Sequence, residues 1–263
     1  MDQRLAGEID AAAPPAVELR NLSFSYAGGP RTLIDINASV SVGCRVAVIG
    51  PSGAGKSTLL MHLNGLLPSP PTSEVDRCRV WIHGQPVVQN HLRSIRRQVG
   101  FVFQDPDDQL FGSSVEDDVA FGPRQLGCDW ETTRRRVRAR LVDVGLGDLG
   151  PQNPGQLSYG ERKRVCLAGV LACDPEVLIL DEPSSNLDPR ARRQLVGILS
   201  GLPATQVIAT HDLDLVLDHC DRVLLLDHGQ IQADGPPRRV LSDPLLMDRH
   251  GLEVPWRLRT API

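Results

Sequence analysis

Gly50-Pro-Ser-Gly-Ala-Gly-Lys-Ser-Thr58 sets three glycines ahead of a lysine and two hydroxyls. Glycine lets successive backbone N–H groups turn inward around an anion. A helix beginning after this loop would add its positive end. Lys56 can then reach the β- and γ-phosphates of a nucleotide, and the Ser57 hydroxyl can ligate Mg2+. Gly50, Pro51, Ser52, Gly53, Ala54, Gly55, Lys56, Ser57 and Thr58 are therefore expected to cradle a nucleoside triphosphate.

Val177-Leu-Ile-Leu-Asp-Glu-Pro183 ends an apolar run in two carboxylates. Burying charge is costly, so the pair needs a task unless the strand simply ends at the surface. Beside a phosphate loop, Asp181 would hold Mg2+ through water and Glu182 would polarise the water that attacks the γ-phosphate. His211 follows another strand-like run, Val207-Ile-Ala-Thr210, and is expected to contact the γ-phosphate. A third run, Val99-Gly-Phe-Val-Phe103, opens into Gln104-Asp-Pro-Asp-Asp-Gln-Leu-Phe111. Two readings are open here. The stretch is a solvated turn, or Gln104 reaches into the site while the acidic loop meets another protein.

The elements that must position these residues alternate along the chain. Val17–Ser25 and Arg45–Ile49 read as strands, with a turn at Gly28-Gly29-Pro30. Leu59, Leu60, Leu63, Leu66 and Leu67 form a helix face ended by Pro68. Arg79–His83 and Val87-Val88 flank Gly84-Gln85-Pro86 as a hairpin. Residues 115–172 read as helical, with Val137, Leu141 and Val144 on one side of Asp129–Gly145. Beyond them, the apolar runs Val177–Leu180, Gln206–Ala209 and Arg222–Leu226 alternate with helical patterns at Arg190–Leu199 and Leu213–His219. Apolar strands alternating with helices predict an α/β sheet, largely parallel and covered on both faces.

Of the 263 residues, 41% are apolar and 23% charged, enough for a substantial core. A net charge of −4 offers no basic field for nucleic acid. The arginines at 93, 96 and 97 and at 134, 135, 136, 138 and 140 read as solvated helix faces. The 6 cysteines form no C-x-x-C pair, which suits reduced thiols rather than a disulfide frame or zinc site. His219, Cys220, His228 and His250 are not at ligand spacing. The start of the chain has no signal-peptide pattern, and no apolar run is long enough to cross a membrane.

In this order the motifs resemble the ATP-binding subunits of ABC transporters, from about Val17 to about Val240. The resemblance implies a P-loop ABC ATPase fold: a mostly parallel core sheet, an N-terminal antiparallel β part and an inserted helical subdomain at about 105–172. Residues 1–16 are expected to be a loose tail and 241–263 a short C-terminal extension. The resemblance further implies that Tyr26 stacks on adenine and that Gln104 touches Mg2+ and senses a membrane partner. Leu157-Ser-Tyr-Gly-Glu161 is similar to the family signature, so Ser158, Tyr159, Gly160 and Glu161 would meet the ATP of a second subunit. In the commonest form of that motif a glycine stands at Tyr159 and a glutamine at Glu161. Tyr159 must therefore avoid backbone conformations reserved for glycine, and Glu161 adds negative charge near the nucleotide. Ser184-Ser-Asn-Leu-Asp188 resembles the loop that crosses the dimer interface, and His211 the switch histidine.

Phe103–Phe111, Glu116–Pro123, Leu63–Leu67 and Leu167–Ala172 are similar to the energy-coupling-factor branch of the family, most closely to its cobalt or nickel import ATPases. This implies an ATPase requiring ATP and Mg2+, peripheral on the cytoplasmic face of the cell membrane. Its partners would be a second ATPase subunit, identical or different, a transmembrane coupling protein and a membrane substrate-binding protein. Asp105, Asp107 and Asp108 would help to hold basic coupling helices. A vitamin importer is the alternative cargo. A soluble member of the superfamily would need a coiled-coil insertion or a basic surface, and the chain shows neither. A partner that binds ATP without hydrolysing it is disfavoured because Glu182 and His211 are both present.

Overall fold

Alternation along Val17–Ser25 buries Val17, Leu19 and Leu22 on one face, and this run is β1. A computed structural model describes residues 14–67 and 78–259. Strand β1 pairs antiparallel with β2 (Arg31–Val40) and β4 (Val80–Ile82), and β4 pairs with β5 (Gln85–Pro86), giving a sheet of order β2-β1-β4-β5. The second sheet has six strands: β3 (Arg45–Ile49), β6 (Val99–Val102), β7 (Val177–Asp181), β8 (Thr205–Ala209), β9 (Arg222–Asp227) and β10 (Gln230–Gly235). Their order is β10-β9-β3-β8-β7-β6, and only β10 runs antiparallel to its neighbour.

Successive residues of a strand face opposite ways, and here each face meets its own core. Val46, Val48, Val177 and Ile179 join the apolar cluster beneath the first sheet, with Leu33, Leu59 and Leu60. Ala47, Ile49, Leu178 and Leu180 join the cluster on the other side, with Val119, Val137, Leu141 and Leu167. That second cluster is supplied by α3 (Val115–Gln125), α4 (Trp130–Asp143) and α5 (Tyr159–Leu171), which lie between β6 and β7 in the chain. The remaining helices are α1 (Lys56–Leu63), α2 (Leu92–Gln98), α6 (Pro189–Ser200), α7 (Leu213–His219), α8 (Pro237–Leu241) and α9 (Pro244–Arg249). No helix of the described residues is long and apolar enough to cross a membrane.

The α/β class, the largely parallel buried sheet and the antiparallel N-terminal part are as the sequence predicts. Several boundaries are corrected. Helix α1 stops at Leu63 because Gly65 turns the chain at φ 66, leaving Leu66 44% exposed. The expected stop at Pro68 lies outside the described residues. The hairpin turns at His83 and Gly84, both at positive φ, so Gln85 and Pro86 already belong to β5. The helical stretch breaks after Asp143, where Gly145 takes φ 70, and α-helix resumes at Tyr159. Strand β2, absent from the expected strands, carries the alternation Ile34-Asp-Ile-Asn-Ala-Ser-Val40 and pairs with β1. Most of the expected tail, residues 1–13, lies outside the described residues, while Ala16 is fully buried. At the other end, α8 crosses the expected boundary at 240. Leu241 and Met247 are buried in the core, whereas Trp256 is 73% exposed.

Candidate active site

Strands β3, β6, β7 and β8 all deliver their carboxyl ends to one edge of the sheet, where ligands of open α/β sheets bind. After β3 the phosphate loop leaves the sheet through Gly50 at φ 149. A Cβ there would lie 1.9 Å from the Leu226 carbonyl oxygen, so only glycine fits between loop and strand β9. Gly55, at φ 103, forms the N-cap of α1, and a Cβ on it would lie 2.8 Å from the Thr32 carbonyl oxygen. Lys56 Nζ donates to the carbonyl oxygens of Gly50 (2.8 Å) and Pro51 (3.0 Å). Burial lowers the Lys56 pKa, opposed by the nearby Glu182 and Asp181 charges.

A cavity of about 500 Å3 opens over this loop, lined by Thr32, Ser52, Gly53, Gly55, Lys56, Ser57, Thr58, Gln104, Glu182 and His211. Glu182 follows β7 with φ 46, a left-handed conformation that is strained for a residue with a side chain. Its Oε2 lies 2.7 Å from His211 Nδ1 and accepts the His211 backbone N–H at 3.3 Å. Asp181, the residue before Glu182, is 5% exposed. Burial raises its pKa, and the nearby Ser57 hydroxyl opposes the rise. Asp181 Oδ1 is buried without a hydrogen-bond partner. An orphaned carboxylate oxygen next to a hydroxyl fits a hard, oxygen-seeking divalent cation such as Mg2+. Tyr26 stands at the rim, its ring against the edge of Phe24 and its hydroxyl 3.1 Å from Thr58 Oγ1.

The remaining expected residues line a separate cavity, also of about 500 Å3. Ser158, Tyr159, Gly160, Glu161 and Asp188 are there, with Arg164, Asn186 and Arg190 among their neighbours. Both walls are helix caps. Ser158 Oγ accepts the Glu161 N–H, and Glu161 Oε2 accepts the Ser158 N–H at 2.9 Å, forming a capping box at the start of α5. The bonds to Ser158 lower the Glu161 pKa, so the added charge is spent on the helix end. Tyr159 takes ordinary backbone geometry as the first residue of α5. Its hydroxyl donates to the Gln104 carbonyl at 3.4 Å. Asp188 caps α6, accepting from the N–H groups of Arg190 and Ala191.

The acidic loop divides its labour. Asp105 accepts the Asp107 N–H and caps a short turn, while Asp107 pairs with Arg162 at 2.8 Å. Gln109 braces the loop, accepting from Phe103 N–H and donating to the Cys166 carbonyl. Only Asp108 of the three aspartates lines an adjoining groove of about 370 Å3, with Arg96, Arg97 and the edge-to-face pair Phe111 and Phe121. All three aspartates are exposed, Asp107 at 63% of its side chain despite its pairing with Arg162, so a partner could still reach each of them.

The model of the family described as ABC transporter matches residues 33–185. A putative ABC transporter ATP-binding protein of Gloeobacter violaceus is 48% identical over 91% of this chain and 97% of its own. The chain belongs to the ABC transporter ATP-binding family. The energy-coupling factor transporter ATP-binding protein EcfA of Carboxydothermus hydrogenoformans is 42% identical over 91% of this chain and 87% of its own, bearing out the resemblance to that branch. Among solved structures, cbiO1 from Clostridium perfringens, part of the ABC transporter complex cbiONQ, superposes with a TM-score of 0.77 at 33% identity over 90% of this chain and 94% of that one. A dimeric ATP-binding cassette in a post-hydrolysis state with ADP and phosphate superposes at 0.74, with 26% identity over 84% of this chain and 98% of that one.

In this ABC ATPase two residues beside the phosphate cavity, Lys163 and Thr32, are hidden in the sequence. Lys163, 4% exposed on α5, donates to the carbonyl oxygens of Glu182 (2.7 Å) and Pro183 (3.2 Å) and to Ser185 Oγ (2.9 Å). Burial brings its pKa down to about 8 against the pull of the nearby carboxylates. Within Gly160-Glu-Arg-Lys-Arg164 it reads as one more exposed cation, and nothing local marks it as buried. Thr32, from β2, was equally hidden, because only the packing of the two sheets brings it to the cavity. The Cys166 and Cys220 thiols are pushed up to about 12 by burial. Among the described residues no cluster of His, Cys, Asp and Glu forms a metal site.

Proposed function

We propose that this ATPase is one of a pair of ATP-hydrolysing subunits that power an energy-coupling-factor importer from the cytoplasmic face of the membrane. The observation that carries this reading is the division of the site. The phosphate loop, Glu182 and His211 line one cavity, and the signature residues Ser158–Glu161 line another that shares none of its lining residues. A second copy, or a similar subunit, stacked head to tail would bring the two halves together around ATP.

In that arrangement Lys56 and the loop N–H groups hold the phosphates, and Tyr26 supports the base. Glu182 orients and polarises the attacking water, while His211, bonded to Glu182, faces the γ-phosphate. Ser57, Asp181 and Gln104 would hold Mg2+, which neutralises charge on the phosphates. From the second subunit, the N–H groups at the start of α5 that the capping box leaves over add donors to the same phosphates, joined by the Ser158 hydroxyl once it turns from Glu161 Oε2, to which it donates at 2.7 Å. Asp188 shapes the loop that passes between subunits. The cargo we propose is a transition metal ion, cobalt or nickel. The likeness to cbiO1 and the runs Leu157-Ser-Tyr-Gly160 and Ala168-Gly-Val-Leu-Ala172 support it.

Purification of the tagged protein from its own membranes in mild detergent tests this reading. The expected companions are a small multi-span coupling protein and a membrane substrate-binding protein that retains cobalt or nickel. A vitamin on the latter would replace the cargo while keeping the architecture. Recovery of soluble companions alone would overturn the importer reading.

A further inference from the structure

Glu182 is held by its backbone at both ends. Its N–H donates to the Ala209 carbonyl at 2.9 Å, across to β8. Its own carbonyl accepts from Lys163 Nζ at 2.7 Å and from the Ser185 hydroxyl at 2.8 Å. Between these anchors the residue keeps φ 46, a conformation that persists only where surroundings impose it. Turning that peptide to a relaxed conformation would swing the carboxylate away from His211. The choice of a lysine for this grip is informative. A buried ammonium is costly and survives only when its donors are met, and Lys163 gives all three of its donors to the turn after β7.

The helix that carries Lys163 also holds the loop after β6. One turn earlier Tyr159 bonds the Gln104 carbonyl, and the neighbouring Arg162 pairs with Asp107. The first two turns of α5 therefore contact both strand ends that feed the phosphate cavity, while their capped end faces the other cavity. We propose that Lys163 is a positioning residue for ATP hydrolysis, fixing the backbone of Glu182 so that its carboxylate meets the attacking water, and linking that carboxylate to the signature helix. This rests on the reading of Glu182 as the water-polarising residue. Lys163 touches no reacting atom. Its effect passes through the turn after β7 and so through the Glu182 backbone.

The experiment is a double-mutant cycle in ATP hydrolysis by the purified protein, with Lys163→Met, Lys163→Gln, Glu182→Gln and the double variant Lys163→Met/Glu182→Gln. Methionine keeps the length of the side chain and removes its donors. Glutamine restores two donors on a shorter stem. Lys163→Met is expected to lower kcat by about 10- to 100-fold, the scale of a slightly misplaced catalytic group, with KM for ATP held within about 3-fold because the phosphate loop is untouched. Lys163→Gln should recover part of the loss. In the Glu182→Gln background, Lys163→Met should cost nothing further, as expected for two residues acting as one unit.

Parent-like hydrolysis by Glu182→Gln would defeat the reading of Glu182 itself. An inactive Glu182→Gln beside a parent-like Lys163→Met would overturn the role of Lys163 and leave that reading intact. So would a further full-sized loss in the double variant, or a loss confined to KM. If Lys163→Met fails to fold, Lys163→Gln and Ser185→Ala carry the test, since both weaken the grip on the same carbonyl. Unchanged kcat in both overturns the proposal.

Discussion

The two cavities are alike in volume and opposite in construction. The one over the phosphate loop is made where strand ends meet, and its backbone is shaped by distant contacts. Gly50 is pressed against the Leu226 carbonyl of β9, and Glu182 is pinned in left-handed geometry between β8 and α5. The cavity over the signature is made by two helix ends that cap themselves. Ser158 with Glu161, and Asp188 with its own following N–H groups, need little beyond local chain. Ser158 to Glu161 contain no positive φ. The half proposed to perform chemistry stores conformational constraint at Gly50 and Glu182, while the signature half is assembled mainly from capping, with Asn186 at φ 59 as the left-handed residue of its lining. Departures from the common signature are therefore tolerated where departures in the phosphate loop would not be.

This contrast orders the expected effects of substitution. Gly50→Ala places a methyl group inside a backbone carbonyl, and should cost about 3 kcal/mol of stability or more, or prevent folding. Urea denaturation measures it, and a loss below 1 kcal/mol would break the contrast. Glu182→Gln should lower ATP turnover by about 100-fold or more while retaining nucleotide binding and the parent's melting temperature. Parallel turnover and calorimetric titrations would check both. On the signature side, Ser158→Ala should cost about 1 kcal/mol, the worth of a helix N-cap. Glu161→Gln should cost about 0.5 kcal/mol or less, because an amide oxygen still accepts the Ser158 N–H and only the charge is lost.

Acid should separate the halves more finely. Burial holds the His219 imidazole down at about 4, with Arg45 adding to the effect, while the unfolded side chain titrates near 6.5. Between those values the unfolded chain binds the extra proton, so stability falls as the pH drops from 6.5 towards 4. His62, also lowered mainly by burial, acts in the same direction. Glu161 behaves differently. Its pKa is lowered from 4.5 by Ser158, so its contribution is complete above 4.5 and is lost as the pH falls through its folded value. Melting curves from pH 7 to 4.5 should thus report the sheet side. His219→Gln should flatten that slope. The difference between the parent and Ser158→Ala should stay constant until the pH is below 4.5.

Much of this was legible in the residues themselves. The glycines, Lys56 and Ser57 are contiguous, so their chemistry follows from spacing alone. The strands β3, β7 and β8 announce themselves because both faces are buried and each carries a run of three or four apolar residues, Val46–Ile49, Val177–Leu180 and Val207–Ala209. The end of α1 was not legible, because Leu66 and Leu67 keep the apolar period while the turn at Gly65 breaks the helix. Nor was the use of the acidic loop. Asp105, Asp107 and Asp108 look alike in sequence, and only the approach of Arg162 from α5 decides that Asp107 forms a surface ion pair with it.

The sequence by itself determined the fold class, the parallel sheet, the phosphate loop and the acidic pair at the end of β7, since these depend on local pattern and on residues close together in the chain. Tertiary structure alone decided that Thr32 joins the phosphate cavity, that Asn186 and Arg190 join the signature residues in a separate one, and that Lys163 is buried against Glu182. The physical reason is one of range. Periodicity and capping act over a few residues, whereas the burial of a lysine and the strain of a glutamate are fixed by helices and strands that meet only after the chain has folded.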